Sequence, residues 1–247
     1  MSTLTYTRLE LLRTVRNRQS MIFSLGFPIV MYFLLAGLSK GSKDFLKAAG
    51  ISAPQYYMVG LLSFGAMVAV LSGGARIAAE RTIGWNRQLR LTPLSALGYL
   101  RAKVLTSYVM ALGTVILLYA AGIVMGVRLP ISSWLEMTGL VIVALIPFAG
   151  LGIGMGHLLN DDSAGAAIGG GVGLLAFLGG TWFPITGGGF FVDLCQSLPS
   201  YWLVQAGHVG LGASNPWGAK GWIVIAVWSA ATITFAAWAY RRDTKRV

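Results

Sequence analysis

Residues 104–126, VLTSYVMALGTVILLYAAGIVMG, run through 23 positions without a charged side chain. A helix on a water-soluble surface needs a polar face, whereas roughly 20 consecutive apolar residues are what the ~30 Å hydrocarbon core of a bilayer asks of one spanning helix. Five more stretches read the same way: about 21–38, 55–75, 137–158, 164–183 and 221–240. The whole chain agrees, since 11% of its residues are charged where a soluble domain carries roughly 25%, and its mean hydropathy is +0.69. The expected fold is an all-α membrane protein of six transmembrane helices, a single domain over residues 1–247. The run at 21–38 is longer than the ~7–15 residues of a signal-peptide core and is followed by SKGSK instead of a small-residue cleavage site, so it reads as a retained span. Pro28 and Pro147 fall inside spans one and four, where neighbouring helices can satisfy the carbonyls they free.

Six spans put both termini on one side of the membrane, and the positive residues choose the side. The termini and even-numbered loops carry fourteen Lys and Arg, against five (Lys40, Lys43, Lys47, Arg128 and Lys220) on the other side. Positive residues stay inside, so both termini and the segment between spans two and three are expected in the cytoplasm. The formal charge of +11 thus reads as orientation and attraction to anionic lipid, not as a nucleic-acid surface. Residues 3–20 place Leu4, Leu11, Leu12 and Val15 at helical spacing against an arginine face, the pattern of a helix lying in the membrane interface. Residues 184–212 are too broken by Gly and Pro for a regular span and too aromatic for a plain loop. They read as a re-entrant external segment buried in protein.

Several chemistries are disfavoured. The single cysteine, Cys195, allows no intrachain disulfide and no cysteine metal cage. Neither GLSKGSK at 37–43 nor GASNPWGAK at 212–220 has the spacing of a phosphate-cradling Walker loop, so no nucleotide is expected on this chain. No ionisable residue falls in the middle of a span, where proton relays are built. Glu136, Asp193 and His208 sit toward the outer side, while His157, Asp161 and Asp162 gather at the inner end of span four. That last group lacks the ligands of a metal-phosphate site and reads as a solvated turn, with Asp162 or Ser163 capping the next helix. The spacings Gly122/Gly126, Gly152/Gly156 and Gly165/Gly169/Gly173 permit close helix approach, within one bundle or at a dimer seam.

Residues 80–95 read ERTIGWNRQLRLTPLS. Ile77, Arg81, Gly84, Trp85, Gln88, Leu91 and Thr92 fall on or near one helical face, and Pro93 ends that helix. Such a short helix on the membrane surface has two uses open to it. It can be a turn held by anionic lipid, or a knob on which a cytoplasmic partner docks to displace the flanking spans.

Glu80-Arg81-x-x-Gly84, then Leu89, Arg90, Thr92, Pro93, Leu94 and Ser95, resembles the cytoplasmic loop of the type-2 ATP-binding-cassette exporter permeases. Phe183-Pro184-Ile185 and Leu198-Pro199 before span six are similar to the same family, and the likeness covers essentially the whole chain. The resemblance implies a non-enzymatic permease subunit of an ATP-driven exporter in the bacterial cytoplasmic (inner) membrane. It implies a second permease copy, as homodimer or heterodimer, and a separate ABC ATPase subunit that binds ATP and Mg while this chain binds no cofactor. Glu80, Arg81 and Gly84 are then the residues that couple to the ATPase, with Arg13 and Arg16 beside them. Phe64 and Met67 on span two, with Phe177 and Trp182 on span five, become the substrate path. Trp85 stands where many relatives have threonine, which points to a specialised docking surface. Uncharged spans favour an amphipathic or hydrophobic cargo, such as a drug, antibiotic or lipid-like molecule. The alternative is an ion-coupled secondary transporter of a small hydrophobic solute.

Overall fold

A computed structural model describes residues 3–17, 21–39, 50–85, 88, 92, 94–185, 187–211 and 217–244. Among them every regular element is a helix. α1 is Thr3–Arg16 and α2 is Phe27–Leu38, which follows directly on a π-helical turn at Ile22–Gly26. α3 is Ala53–Thr82 and α4 is Ala96–Val124. α5, Ile131–Ala144, and α6, Ile146–Leu158, meet at Leu145. α7 is Asp161–Leu178, α8 Phe190–Gln196, α9 Pro199–Val209 and α10 Gly218–Thr244.

Among the described residues four apolar helical stretches are long enough to cross a membrane: Ala53–Thr82, Ala96–Val124, Ile131–Leu158 and Gly218–Asp243. Two shorter ones, Ser24–Leu38 and Ser163–Leu178, occupy the first and fifth expected spans. The prolines act where expected. Pro28 sits in the first turn of α2, just after the widened π turn, a geometry that takes up a side chain the ordinary ladder cannot hold. Pro147 sits in the first turn of α6, so the fourth stretch is two helices joined at a bend.

α3 is the strut of the bundle. It packs on α2, α4, α6, α7 and α9, and 78% of its apolar window is buried, against 22% for α10. Ser52 and Gln55 form a reciprocal capping box at its start, which satisfies two of the amide donors a helix start leaves open. Small residues let α6 approach α3 closely. A Cβ on Gly74 would run into the Gly152 carbonyl, and one on Gly156 would stand 2.5 Å from the Gly74 carbonyl. The Gly152/Gly156 spacing is therefore packing inside this bundle.

Three boundaries differ from the sequence reading. The helix of span two does not stop near residue 75 but continues to Thr82, so Glu80 and Arg81 belong to the long helix itself and the segment they begin separates only afterwards. α7 ends at Leu178, which leaves Trp182 in irregular chain beyond it. Residues 184–212 are more regular than expected and contain α8 and α9, the latter buried along most of its length. The α7 N-cap is Asn160, without a side-chain cap bond. Expectations that rest on residues 18–20, 40–49, Leu89, Arg90, Leu91 and Pro93, or on the side chains of Asp161 and Asp162, lie outside the described residues.

Candidate functional site

α3 has 30 residues, or about 45 Å at 1.5 Å per residue. That exceeds a ~30 Å hydrocarbon core, so one or both ends project beyond it. At the end where α3 finishes, α1 and the start of α4 pack around it, and charged side chains are buried there. Lys103, 1% exposed, donates from Nζ to Glu10 Oε1 at 2.5 Å and to Glu80 Oε1 at 2.6 Å. Arg13 Nη1 donates to the same Glu80 oxygen at 3.0 Å, and the Tyr99 hydroxyl donates to Glu80 Oε2 at 2.7 Å. Glu80 is 2% exposed and Glu10 4%. One carboxylate on α3 thereby holds α1 and α4 together. Buried charges survive when paired and hydrogen-bonded, and removing one partner of such a pair is far costlier than the pair is stabilising.

The next residue grips the opposite side. Arg81 Nε and Nη2 lie 3.0 and 2.8 Å from Asp243 Oδ1 near the end of α10. Its Nη1 donates to the carbonyls of Gly156 and Leu159 at 3.1 Å each, acceptors that the end of α6 leaves without helical partners. His157 Nδ1 stands 2.9 Å from Asp243 Oδ2. Adjacent residues on a helix point about 100° apart, so Glu80 clamps α1 and α4 while Arg81 clamps α6 and α10.

The chain then turns away. Gly84 has φ +72°, a left-handed conformation that glycine adopts without penalty. Ser95 caps α4 by accepting from the Gly98 amide at 3.1 Å. Trp85 lies at the Tyr6 hydroxyl of α1. Burial first, then Glu80 and Glu10, pushes the Tyr6 phenol far above its ordinary range, which keeps it neutral beside the cluster.

Of the expected coupling residues, Glu80, Arg81 and Arg13 are brought together in or beside this network. Arg13 is 59% exposed, Arg16 is exposed at the end of α1, and Gly84 is the pivot. Glu80 faces inward instead of outward. The expected path residues divide: Phe64 and Trp182 meet with ring centroids 5.6 Å apart, and Phe27 joins Phe64 at 5.8 Å. Phe177 is 53% exposed and pairs with Phe183. Met67 is 1% exposed in the core.

Sequence reasoning missed Glu10, Tyr99, Lys103, His157 and Asp243 as members of the site. A weak signal existed for two of them. Glu10 is the one acidic residue among the arginines of residues 3–20, and Asp243 is the one among those of 241–246. His157 was grouped with Asp161 and Asp162, but its partner is Asp243. His208 is buried in α9 against Tyr56. Among the described residues no three of His, Cys, Asp and Glu gather as a metal-holding group.

Residues 47–239 match the family described as ABC-2 family transporter protein. The chain is also 28% identical over 211 residues to a Bacillus subtilis (strain 168) protein named "Putative transport permease YvfS", covering 83% of this chain and 80% of that one. With a helical bundle of this apolarity, the match over most of the length leaves one conclusion: the chain belongs to the ABC-2 family of transporter proteins, and it is a multi-pass ABC transporter permease.

Proposed function

We propose that this permease is the membrane half of an ATP-driven exporter and that a separate cytoplasmic ABC ATPase moves it through residues 80–95. The observation that carries the reading is the double clamp on neighbouring residues. Any displacement of the chain after Gly84 pulls on Glu80 and Arg81, and through them on α1, α4, α6 and α10 at once. A partner shifts a two-state equilibrium only by its differential affinity for the two states, and a rigidly linked end lets that difference reach the spans. Glu80 and Arg81 act in this scheme as transmission residues. Arg13, Arg16 and Trp85 provide the contact surface, and ATP and Mg bind to the partner.

In this reading the clamped end is cytoplasmic, with both termini beside it in the inner membrane, α1 lying in the interface and six spans in all. The fourteen-to-five distribution of positive residues supports the orientation. A second permease copy packs on α7. The stripe Ala164, Ile168, Val172 and Ala176 is buried in this chain, while Gly165, Gly169, Gly170 and Gly173 face open space. Small residues on an open helix face suit close helix contact in lipid. The cargo is amphipathic or hydrophobic and passes near Phe64, Trp182 and Phe177, in keeping with aromatic surfaces and uncharged spans.

The test is co-expression with a candidate ABC ATPase subunit, followed by ATP hydrolysis in nanodiscs with and without hydrophobic cargo. E80Q and R81Q complexes that still assemble should lose most of the cargo-stimulated increment and keep basal hydrolysis. Unchanged stimulation in both variants would refute transmission through the clamp. Accumulation of cargo under an ion gradient, without any ATPase, would move the protein to the secondary carriers.

A further inference from the structure

Beside the ion cluster a cavity of about 350 Å³ lies between α1 and α3. Its lining includes Arg13, Thr14 and Asn17 from α1 and the turn after it, and Ser72, Ala75 and Arg76 from α3. That volume is within the range of small-ligand sites, and the lining is mixed polar and apolar.

Charge counting singles out one residue. Glu10 and Glu80 supply two buried negative charges, and Lys103 and Arg13 touch them as two positive ones. Arg76 is a third cation. Its Nη2 donates to the neutral Ser107 hydroxyl at 3.1 Å, its buried Nε has no hydrogen-bond partner, and among the described residues no carboxylate lies within ion-pair distance of it. Glu10 and Glu80 act on it only through space. The Arg76 side chain is half-buried and lines the cavity, where a guanidinium without a counter-charge is costly, and an acceptor-only anion in the cavity would supply that charge.

We infer that this cavity binds a phosphate group of an anionic phospholipid, held by the Arg76 and Arg13 guanidiniums. Guanidinium pairs with phosphate oxygens through charge-assisted bonds in a planar fork. A phosphodiester carries the one negative charge the cluster lacks. The hydroxyls of Thr14 and Ser72 already donate to the carbonyls of Glu10 and Val68, so they shape the walls and leave recognition to the arginines. The lipid source follows from α1 itself. Its polar Glu10 and Thr14 face the protein, while Leu4, Leu9, Leu12 and Val15 are 83, 51, 44 and 48% exposed. A helix with its leucines outward beside an arginine pocket matches a molecule that has acyl chains next to a phosphate. Soluble phosphate would use only the pocket.

The full-length chain reconstituted in nanodiscs tests this. Wild type, R76Q and R76K are compared in pure phosphatidylcholine, in phosphatidylcholine with phosphatidylglycerol, and in phosphatidylcholine with inorganic phosphate, reading thermal stability and lipid retained after delipidation by native mass spectrometry. Wild type should gain stability with phosphatidylglycerol and retain it, R76K should keep part of the effect, and R76Q should retain roughly tenfold less, as for the loss of one charge-assisted bond. Equal retention by R76Q and wild type overturns the site. Stabilisation by inorganic phosphate equal to that by phosphatidylglycerol overturns the lipid source. Should R76Q fail to fold, wild type alone decides, because no difference between the two lipid compositions overturns the proposal.

Discussion

At the residue scale, Lys103 is the keystone of the charged end, because it is the sole side chain among those described that touches both Glu10 and Glu80. Replacing it by methionine keeps the stem and leaves two carboxylates buried without it. Removal of one partner from a buried ion pair costs about 3–5 kcal/mol, so K103M should unfold at a markedly lower temperature in detergent, read by circular dichroism. E80Q is expected to be milder, because the amide oxygen still accepts from Lys103, the Tyr99 hydroxyl can turn to accept from the amide N–H, and Lys103 keeps Glu10. A Tm for K103M equal to wild type would mean that water, not protein, solvates this cluster. Gly84 makes a separate prediction. At φ +72° a Cβ costs about 1 kcal/mol or more, but it meets no neighbour in space. G84A should therefore leave the bundle's melting temperature nearly intact while altering the ATPase response, a split that a packing residue would not produce.

At the element scale, α1 departs from the usual amphipathic logic. In water a helix hides its leucines, whereas α1 hides Tyr6, Glu10 and Thr14 and shows Leu4, Leu9, Leu12 and Val15 beside Arg8, Arg13 and Arg16. That mixed outer face suits a membrane interface, with acyl chains and headgroups outside and charged partners inside. E10A removes the inward anchor and should raise amide hydrogen exchange in α1 while α3 and α6 stay protected. Uniform loss of protection across the bundle would show that α1 is integral to the core. The α3–α6 crossing depends on the opposite feature, an absence of side chains. Adding a methyl group at Gly74, which faces the Gly152 carbonyl, should force the helices apart at a cost of about 1–3 kcal/mol, seen as lower thermal stability of G74A. Gly113 on α4, with no heavy atom within 4 Å of its Cβ position, should accept alanine without loss.

At the scale of the whole molecule, the unequal burial of the helices is the informative feature. α3 is enclosed, while α7 uses one stripe and leaves its glycine face uncovered. Lipid alone gives little reason to line a face with glycine, whereas a second helix does. A cysteine at Gly169 in a C195A background should form disulfide-linked dimers on mild oxidation in membranes. A cysteine at Ile223 on α10, which is 62% exposed, should not. Cross-linking at Ile223 and not at Gly169 would transfer the seam to α10.

The sequence alone determined the class of fold, because span length is set by the bilayer and acts locally along the chain. Runs such as 104–126 need no partner to be read. It also located the break at Pro147, where backbone chemistry acts on its own residue, but it read one helical face from Ile77 through Gly84 to Thr92, which the end of α3 at Thr82 and the left-handed Gly84 interrupt. What it could not reveal was that Glu80 and Arg81 face inward. Helix α3 continues past the apolar run, and a charge looks the same in sequence whether it meets water or a buried lysine. Lys103 lies 93 positions from Glu10 and 23 from Glu80, and Asp243 lies 162 from Arg81, and only packing brings them together. The tertiary structure decided the site because desolvation makes a charge choose its partner, and that choice is made in three dimensions.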